Sequence, residues 1–209
     1  MAAIQNIIFD LDGTLWDSRK EIIEAWKQVI PNLDITADDL THLMGCPSEE
    51  FLKFLFPNVS YQEASRLMNQ CEQAEVKYLT KNGTTLFPNA IEVLNALAKN
   101  YHLYIVSNCQ KGYIESFLNH YQVSHLFDDF ESSGNTNLDK SQNIQILLER
   151  NHIRPEQCCY VGDTLKDLEA AKQNHMLFVW AAYGFEKGIQ TDYSIQSLND
   201  LSPFLSSIR

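Results

Sequence analysis

The stretch Ile4-Gln5-Asn6-Ile7-Ile8-Phe9-Asp10-Leu11-Asp12-Gly13-Thr14-Leu15-Trp16-Asp17-Ser18 passes in one step from an apolar run to paired carboxylates and a glycine. A short apolar run bounded by turn residues predicts a buried β-strand over residues 4–9. The polar residues then fall at the strand's carboxyl end, where open α/β sheets bind ligands. Strand alternation sets Asp10 and Asp12 on the same side, and two close carboxylates repel unless a cation or a shared proton offsets them. Gly13 lets the backbone turn sharply beside a ligand. Taken alone, the pattern also fits a plain turn or part of a calcium loop. An EF-hand loop counted from Asp10 would place its last ligand at Glu21, but the glycine stands fourth instead of sixth.

Further along, apolar β-rich runs at residues 102–107, 158–162 and 176–180 alternate with amphipathic segments at 88–99 and 140–151. That alternation predicts an α/β fold, a doubly wound parallel sheet with crossover helices on both faces. The first interval is too long for a crossover, since about seventy residues precede the next strand signals near Leu86. It reads as an inserted α-helical cap subdomain over residues 17–84, with the core formed by 1–16 and 85–209. Ser18-x-x-Glu21 and Ser60-x-x-Glu63 have capping-box spacing, and Asn82-Gly83 ends the last helix.

A second acidic cluster, Val161-Gly162-Asp163-Thr164-Leu165-Lys166-Asp167, also follows an apolar strand and precedes a helix. By itself it fits simple helix capping, with Asp163 or Thr164 as the cap and Asp167 favouring the first turn. At one edge of one sheet, however, the two clusters would bring carboxylate oxygens from separate strands towards a hard cation such as magnesium.

Composition narrows the partners. Sixteen basic against twenty-seven acidic side chains give a formal charge of −11, which repels a polyanionic backbone and leaves no basic tract for nucleic acid. A small phosphate ester is compatible with that charge when a bound cation reverses the local potential. The five cysteines are scattered without a C-x-x-C pair and read as reduced core thiols. No run reaches transmembrane length and no leader pattern opens the chain, so neither a membrane nor export is expected and cytoplasmic residence is.

From about Ile4 to Gly184, with four motifs in order, the sequence resembles the haloacid dehalogenase-like superfamily. D-x-D-G-T is matched by Asp10, Asp12, Gly13 and Thr14, and the resemblance implies that Asp10 is a nucleophile and Asp12 a general acid and base. Ser107, ending Tyr104-Ile105-Val106-Ser107-Asn108, matches the second motif, so Ser107 and the Asn108 backbone would bind phosphoryl oxygens. Lys140 is the only lysine between Lys111 and Lys166 and matches the third, as a charge steadying Asp10 and phosphate. G-D-x-x-x-D is matched by Gly162, Asp163 and Asp167. The implied metal set is Asp10, Asp12, Asp163 and Asp167, with Asp163 a direct ligand and Asp167 supporting or joining it.

Two departures stand out. Lys140-Ser141 replaces the Lys-Pro of many relatives, and Asn174-His175 stands where the helix after the fourth motif usually ends in glycine. One of these two residues is expected to stop that helix, since both tolerate a left-handed backbone.

The insertion resembles the helical cap of phosphoglycolate phosphatase-like and β-phosphoglucomutase-like members. Its Gly45-Cys46-Pro47-Ser48 turn looks like their substrate-specificity loop, and Arg19, Lys20 and Lys53 read first as solvated helix faces. The resemblance implies a magnesium-dependent phosphatase acting on a small phosphorylated metabolite through an aspartyl-phosphate. A phosphomutase and a non-catalytic binding protein on the same fold are the alternatives, and the oligomeric state stays open.

Overall fold

The computed structural model describes residues 3–45 and 48–208. In chain order the elements are β1 (Asn6–Phe9), β2 (Trp16–Asp17), α1 (Arg19–Trp26), α2 (Ala37–Gly45), α3 (Ser48–Leu55), α4 (Tyr61–Asn82), β3 (Thr85–Leu86), α5 (Ala90–Leu97) and β4 (His102–Ser107). They continue as α6 (Tyr113–His120), β5 (Asp129–Ser132), α7 (Ser133–Thr136), α8 (Lys140–Arg150), β6 (Cys158–Gly162), α9 (Leu165–Gln173), β7 (Leu177–Ala181), β8 (Ser194–Ile195) and α10 (Leu201–Ser207). The chain divides into two compact units, one of residues 1–17 with 85–209 and one of residues 18–84. Asp17 belongs to the first because it pairs with Thr85 in the short antiparallel ribbon of β2 and β3.

In the first unit the described strands form a six-stranded sheet in the order β5-β4-β1-β6-β7-β8, with every pairing parallel. Ile8 lies in register with Tyr104 and Tyr160. These side chains share a cluster with Ile144, Leu147 and Leu148 of α8 and Leu168 and Ala171 of α9. Ile7 and Phe9 alternate to the other face, and both are fully buried. Burial on both faces explains why the central strands read as continuous apolar runs. The strand order reverses at β1, between β4 and β6, and the carboxyl ends around such a switch point form the usual ligand crevice.

In the helical unit, Trp26 of α1 donates its indole N–H to buried Glu75 of α4 at 2.8 Å and packs edge-on against Phe51 of α3. Ser60 caps α4 by accepting from the Glu63 N–H, and Gly83 closes it at φ 65°. The capping box expected at Ser18 is not formed. Ser18 has helical backbone angles without a side-chain cap bond, and Glu21 instead accepts from the Thr84 hydroxyl at 2.6 Å. Among the described residues no helix is long and apolar enough to cross a membrane.

Candidate active site

Asp10 leaves β1 with its N–H still donating to Val161 of β6, so its carboxyl stands where the sheet ends. Gly13 then turns the chain at φ 78°. A Cβ there would lie 2.1 Å from Asp163 Oδ2, so glycine is required both by conformation and by the close approach of the second acidic cluster. Ser107 ends β4 and is buried, and the exposed Asn108 accepts from the Ser133 hydroxyl at 3.0 Å.

Lys140 opens α8, whose start is fixed by a reciprocal capping box between Asp139 and Gln142. Its buried ammonium donates to Asp10 Oδ1 at 2.8 Å and to Asp167 Oδ1, and it lies 5.8 Å from the centre of the Tyr160 ring. Burial alone would lower the lysine pKa, but the Asp10 and Asp167 carboxylates outweigh it and hold the group well above its ordinary value. Asp167, in the first turn of α9, also accepts from the Thr164 N–H and hydroxyl at 2.9 and 2.7 Å. The capping reading and the site reading of this motif therefore describe the same side chain.

Asp163 is fully buried. Its Oδ2 accepts from the Phe185 N–H at 2.7 Å, whereas its Oδ1 has no hydrogen-bond partner among the described residues. Burial, reinforced by the charges of Asp10 and Asp167, pushes its pKa up to about 8. Asp10 rises to about 7, first through burial, with Lys140 opposing and Asp167 and Asp12 adding to the rise.

Asp10, Asp163 and Asp167 can each offer an oxygen within 4.8 Å of the others. An all-carboxylate donor set with an orphaned buried oxygen and acids held abnormally basic fits a hard divalent cation. Asp12, of the expected metal set, stands outside that group, with Oδ1 accepting from the Tyr113 hydroxyl at 2.8 Å.

The structure adds residues that no motif flagged. Tyr113 reaches Asp12 across 101 positions of sequence, a relation without a local signal. Residues 183–186 pass over the second acidic cluster. Tyr183 donates its hydroxyl to the Thr14 carbonyl, Phe185 holds Asp163, and Glu186 accepts from the Leu165 N–H. Cys109 follows the phosphate-binding candidates, and burial together with Asp12 and Asp10 keeps its thiol protonated, well above the usual value.

In the helical unit, Arg19 bonds the Thr41 hydroxyl at 3.1 Å, and Lys20 and Lys53 are exposed. Of the expected specificity turn, Cys46 and Pro47 lie outside the described residues, while Gly45 ends α2 and Ser48 begins α3.

Residues 7–181 match the family model described as haloacid dehalogenase-like hydrolase. The chain is 26% identical to the phosphoglycolate phosphatase of Escherichia coli strain K12, over 97% of this chain and 92% of that protein. It is 27% identical to a 5'-nucleotidase of Pseudomonas aeruginosa, over 86% and 83% respectively. Among solved structures, a haloacid dehalogenase-like family hydrolase from Streptococcus pneumoniae superimposes with a TM-score of 0.82 at 24% identity, covering 98% of this chain and 99% of that one.

Proposed function

The chain belongs to the haloacid dehalogenase-like hydrolase family, and from that membership we propose that it is a phosphatase hydrolysing small phosphate monoesters through a phosphorylated Asp10. The carrying observation is the cluster of Asp10, Asp163 and Asp167 beside Lys140, with Asp163 Oδ1 buried and unpartnered.

Asp10 supplies the attacking carboxylate oxygen. A bond forms between it and phosphorus as the ester P–O bond breaks, and Asp12 gives its proton to the departing alcohol oxygen. Asp12 then takes a proton from the water that attacks the aspartyl-phosphate, which releases phosphate and restores Asp10. The Ser107 hydroxyl and the Asn108 backbone N–H hold the phosphoryl oxygens, and Lys140 balances the charge of Asp10 and of the phosphoryl group. Magnesium, held by Asp10 and Asp163 with Asp167 beside them, would neutralise the approaching phosphate. Asp167 has both oxygens engaged, by Lys140 and Thr164, and is assigned mainly to positioning the lysine.

The helical unit is assigned to substrate selection through its Gly45-Cys46-Pro47-Ser48 segment, whose residues include no strong acid or base. Relatives named for phosphoglycolate and for 5'-nucleotides match at nearly equal identity, which supports phosphate monoesters as the substrate class and water as the acceptor. Buried unpaired thiols at Cys71, Cys109, Cys158 and Cys159 suit the reducing cytoplasm.

The test is hydrolysis of 4-nitrophenyl phosphate by the purified protein with magnesium, with chelator, and by Asp10→Asn. Activity is expected only in the first case. Full turnover in chelator or in the variant would defeat the reading.

A further inference from the structure

We infer that Glu186 and Lys187 are positioning residues for the cation site, which pin the segment 182–187 so that the Phe185 N–H holds Asp163 Oδ2 and leaves Oδ1 to the metal. The inference deepens, and rests on, the assignment of Asp163 as a magnesium ligand given above.

A carboxylate turns about its side-chain bonds unless its surroundings fix it, and groups bonded to a metal ligand set both its aim and its affinity. The main chain of Asp163 is held by the Trp180 indole, which donates to its carbonyl at 3.3 Å. Its side chain is aimed by the Phe185 N–H, 2.7 Å from Oδ2, while Oδ1 is buried and has no hydrogen-bond partner among the described residues. A backbone N–H is only as well placed as the chain that carries it. Residues 182–187 follow the end of β7 and belong to no helix or strand, so they lack a ladder of backbone bonds.

Three side chains tie the segment down instead. Ahead of Phe185, the Tyr183 hydroxyl donates to the Thr14 carbonyl at 2.8 Å, and its ring meets Phe87 with centres 4.9 Å apart. After it, Glu186 accepts from the Leu165 N–H at 2.8 Å. Leu165 is the first residue of α9, and the opening amides of a helix lack partners within it and favour a negative group. The Lys187 ammonium reaches back in sequence past Phe185 and donates to the carbonyls of Ala182 and Gly184, at 3.1 and 2.7 Å. The lysine thus closes a loop of backbone that contains Phe185, and the glutamate fastens it to the helix that begins two residues after Asp163. The fit is close, since a Cβ on Gly184 would lie 2.3 Å from Asp163 Cβ, and a small shift of the segment therefore reaches the carboxylate.

The opposite charges of the two residues separate positioning from a simple field. A cation is drawn by a nearby anion and repelled by a nearby cation. If only charge mattered, removing Glu186 would weaken magnesium binding and removing Lys187 would strengthen it. If both pin the segment, both removals weaken it.

Isothermal titration of the full chain with magnesium chloride, after chelator and dialysis, reads this without turnover. Glu186→Ala and Lys187→Met are each expected to raise the magnesium dissociation constant about 3-fold or more, less than the roughly 10–100-fold typical of groups bonded directly to a ligand. Glu186→Gln removes the charge but keeps an oxygen for the Leu165 N–H, and should stay within about 2-fold of the unsubstituted protein. Lys187 is exposed and Glu186 half-buried, so neither substitution opens the core, and melts in chelator confirm that each variant is folded.

Tighter binding by Lys187→Met, an unchanged constant in either truncation, or a Glu186→Gln as weak as Glu186→Ala would each overturn the pinning role. A failure of the metal assignment looks different: Asp163→Asn would itself bind magnesium as tightly as the unsubstituted protein, and the inference would fall with that assignment.

Discussion

The side-chain amide of Asn174 donates to both the carbonyl and the hydroxyl oxygen of Ser141, at 3.0 Å each, and to the Ala170 carbonyl at 2.9 Å. The two places where the sequence departs from the motif pattern of its relatives are thus joined. Ser141 follows Lys140, and Asn174 follows the last turn of α9, so the contact ties the start of the lysine's helix to the end of the neighbouring one. His175, at φ 56°, takes the left-handed position that glycine would otherwise fill.

Asn174→Ala should therefore loosen the seat of Lys140 as well as the helix pair. With each net hydrogen bond contributing about 1 kcal/mol, a loss of roughly 1–2 kcal/mol is expected. For a chain of this size that lowers Tm by about 2–8 °C. The melt and kcat/KM should fall together. An unchanged Tm would mean that water replaces the amide without cost.

Gly184 carries a second expectation, because a Cβ there would lie 2.3 Å from both Asp163 Cβ and the Gly13 carbonyl oxygen. Neither contact ends in a flexible tip, so Gly184→Ala must displace Asp163 or the turn at Gly13. Overpacking of this kind costs typically about 1–3 kcal/mol. The cation concentration for half-maximal activity should rise, and a titration of activity against magnesium measures it. A variant with normal cation dependence would show that the turn yields freely.

How far the sequence revealed this arrangement depended on where its signals lay. Asp10 and Asp163 each follow an apolar strand directly and Ser107 ends one, so strand and ligand position are read together. Two strands of the six-stranded sheet were missed for a physical reason. β5 is an edge strand of Asp-Phe-Glu-Ser, held by Arg150 bonding Asp129 and Glu131 at 2.8 Å each, so its acidic side chains conceal the usual apolar run. β8 is two residues long and has no period to read. Tyr113 and the segment 183–186 reach the site only through folding, and the unformed Ser18 box shows that spacing proposes a cap while competition, here from Thr84, decides it.

Asp12→Ala separates the two chemical steps. With an activated aryl phosphate, attack by Asp10 survives, whereas hydrolysis of the aspartyl-phosphate loses its base, an effect of about 10²–10⁴-fold. A burst of aryl alcohol, slow turnover and a phosphorylated protein mass are expected. Lys140→Ala should instead slow the burst itself, since its charge acts on Asp10 and phosphate together. Absence of both burst and phosphoprotein in Asp12→Ala, with cation binding intact, would remove Asp12 from the acid and base role.

The raised acids also predict how stability should depend on pH and cation. Asp10 and Asp163 rise from 3.8 to about 7 and about 8 in the folded protein. Between the ordinary and the raised values the folded state binds more protons than the unfolded chain, so stability declines as pH increases through that window. Their favourable contribution is complete below about pH 4 and lost by about pH 8. Lys140, raised above an already high value, stays protonated in both states across this range and does not alter the slope. In chelator, Tm should fall between about pH 5.5 and pH 8. A cation competes with those protons, so its stabilising effect should be larger at the upper end. At a hundred times its dissociation constant a ligand adds about 2.7 kcal/mol, or roughly 5–10 °C for a chain of this size. Asp163→Asn replaces a buried anion by a neutral amide of the same shape. In chelator near pH 8 it should melt above the unsubstituted protein, by an amount on the order of 1–3 kcal/mol, and it should gain little from magnesium. Thermal melts of both proteins, with chelator and with cation at the two pH values, decide the matter. A variant that melts lower in chelator would show that Asp163 does not strain the cation-free fold, and one that responds to magnesium as the original does would show that it does not bind the metal.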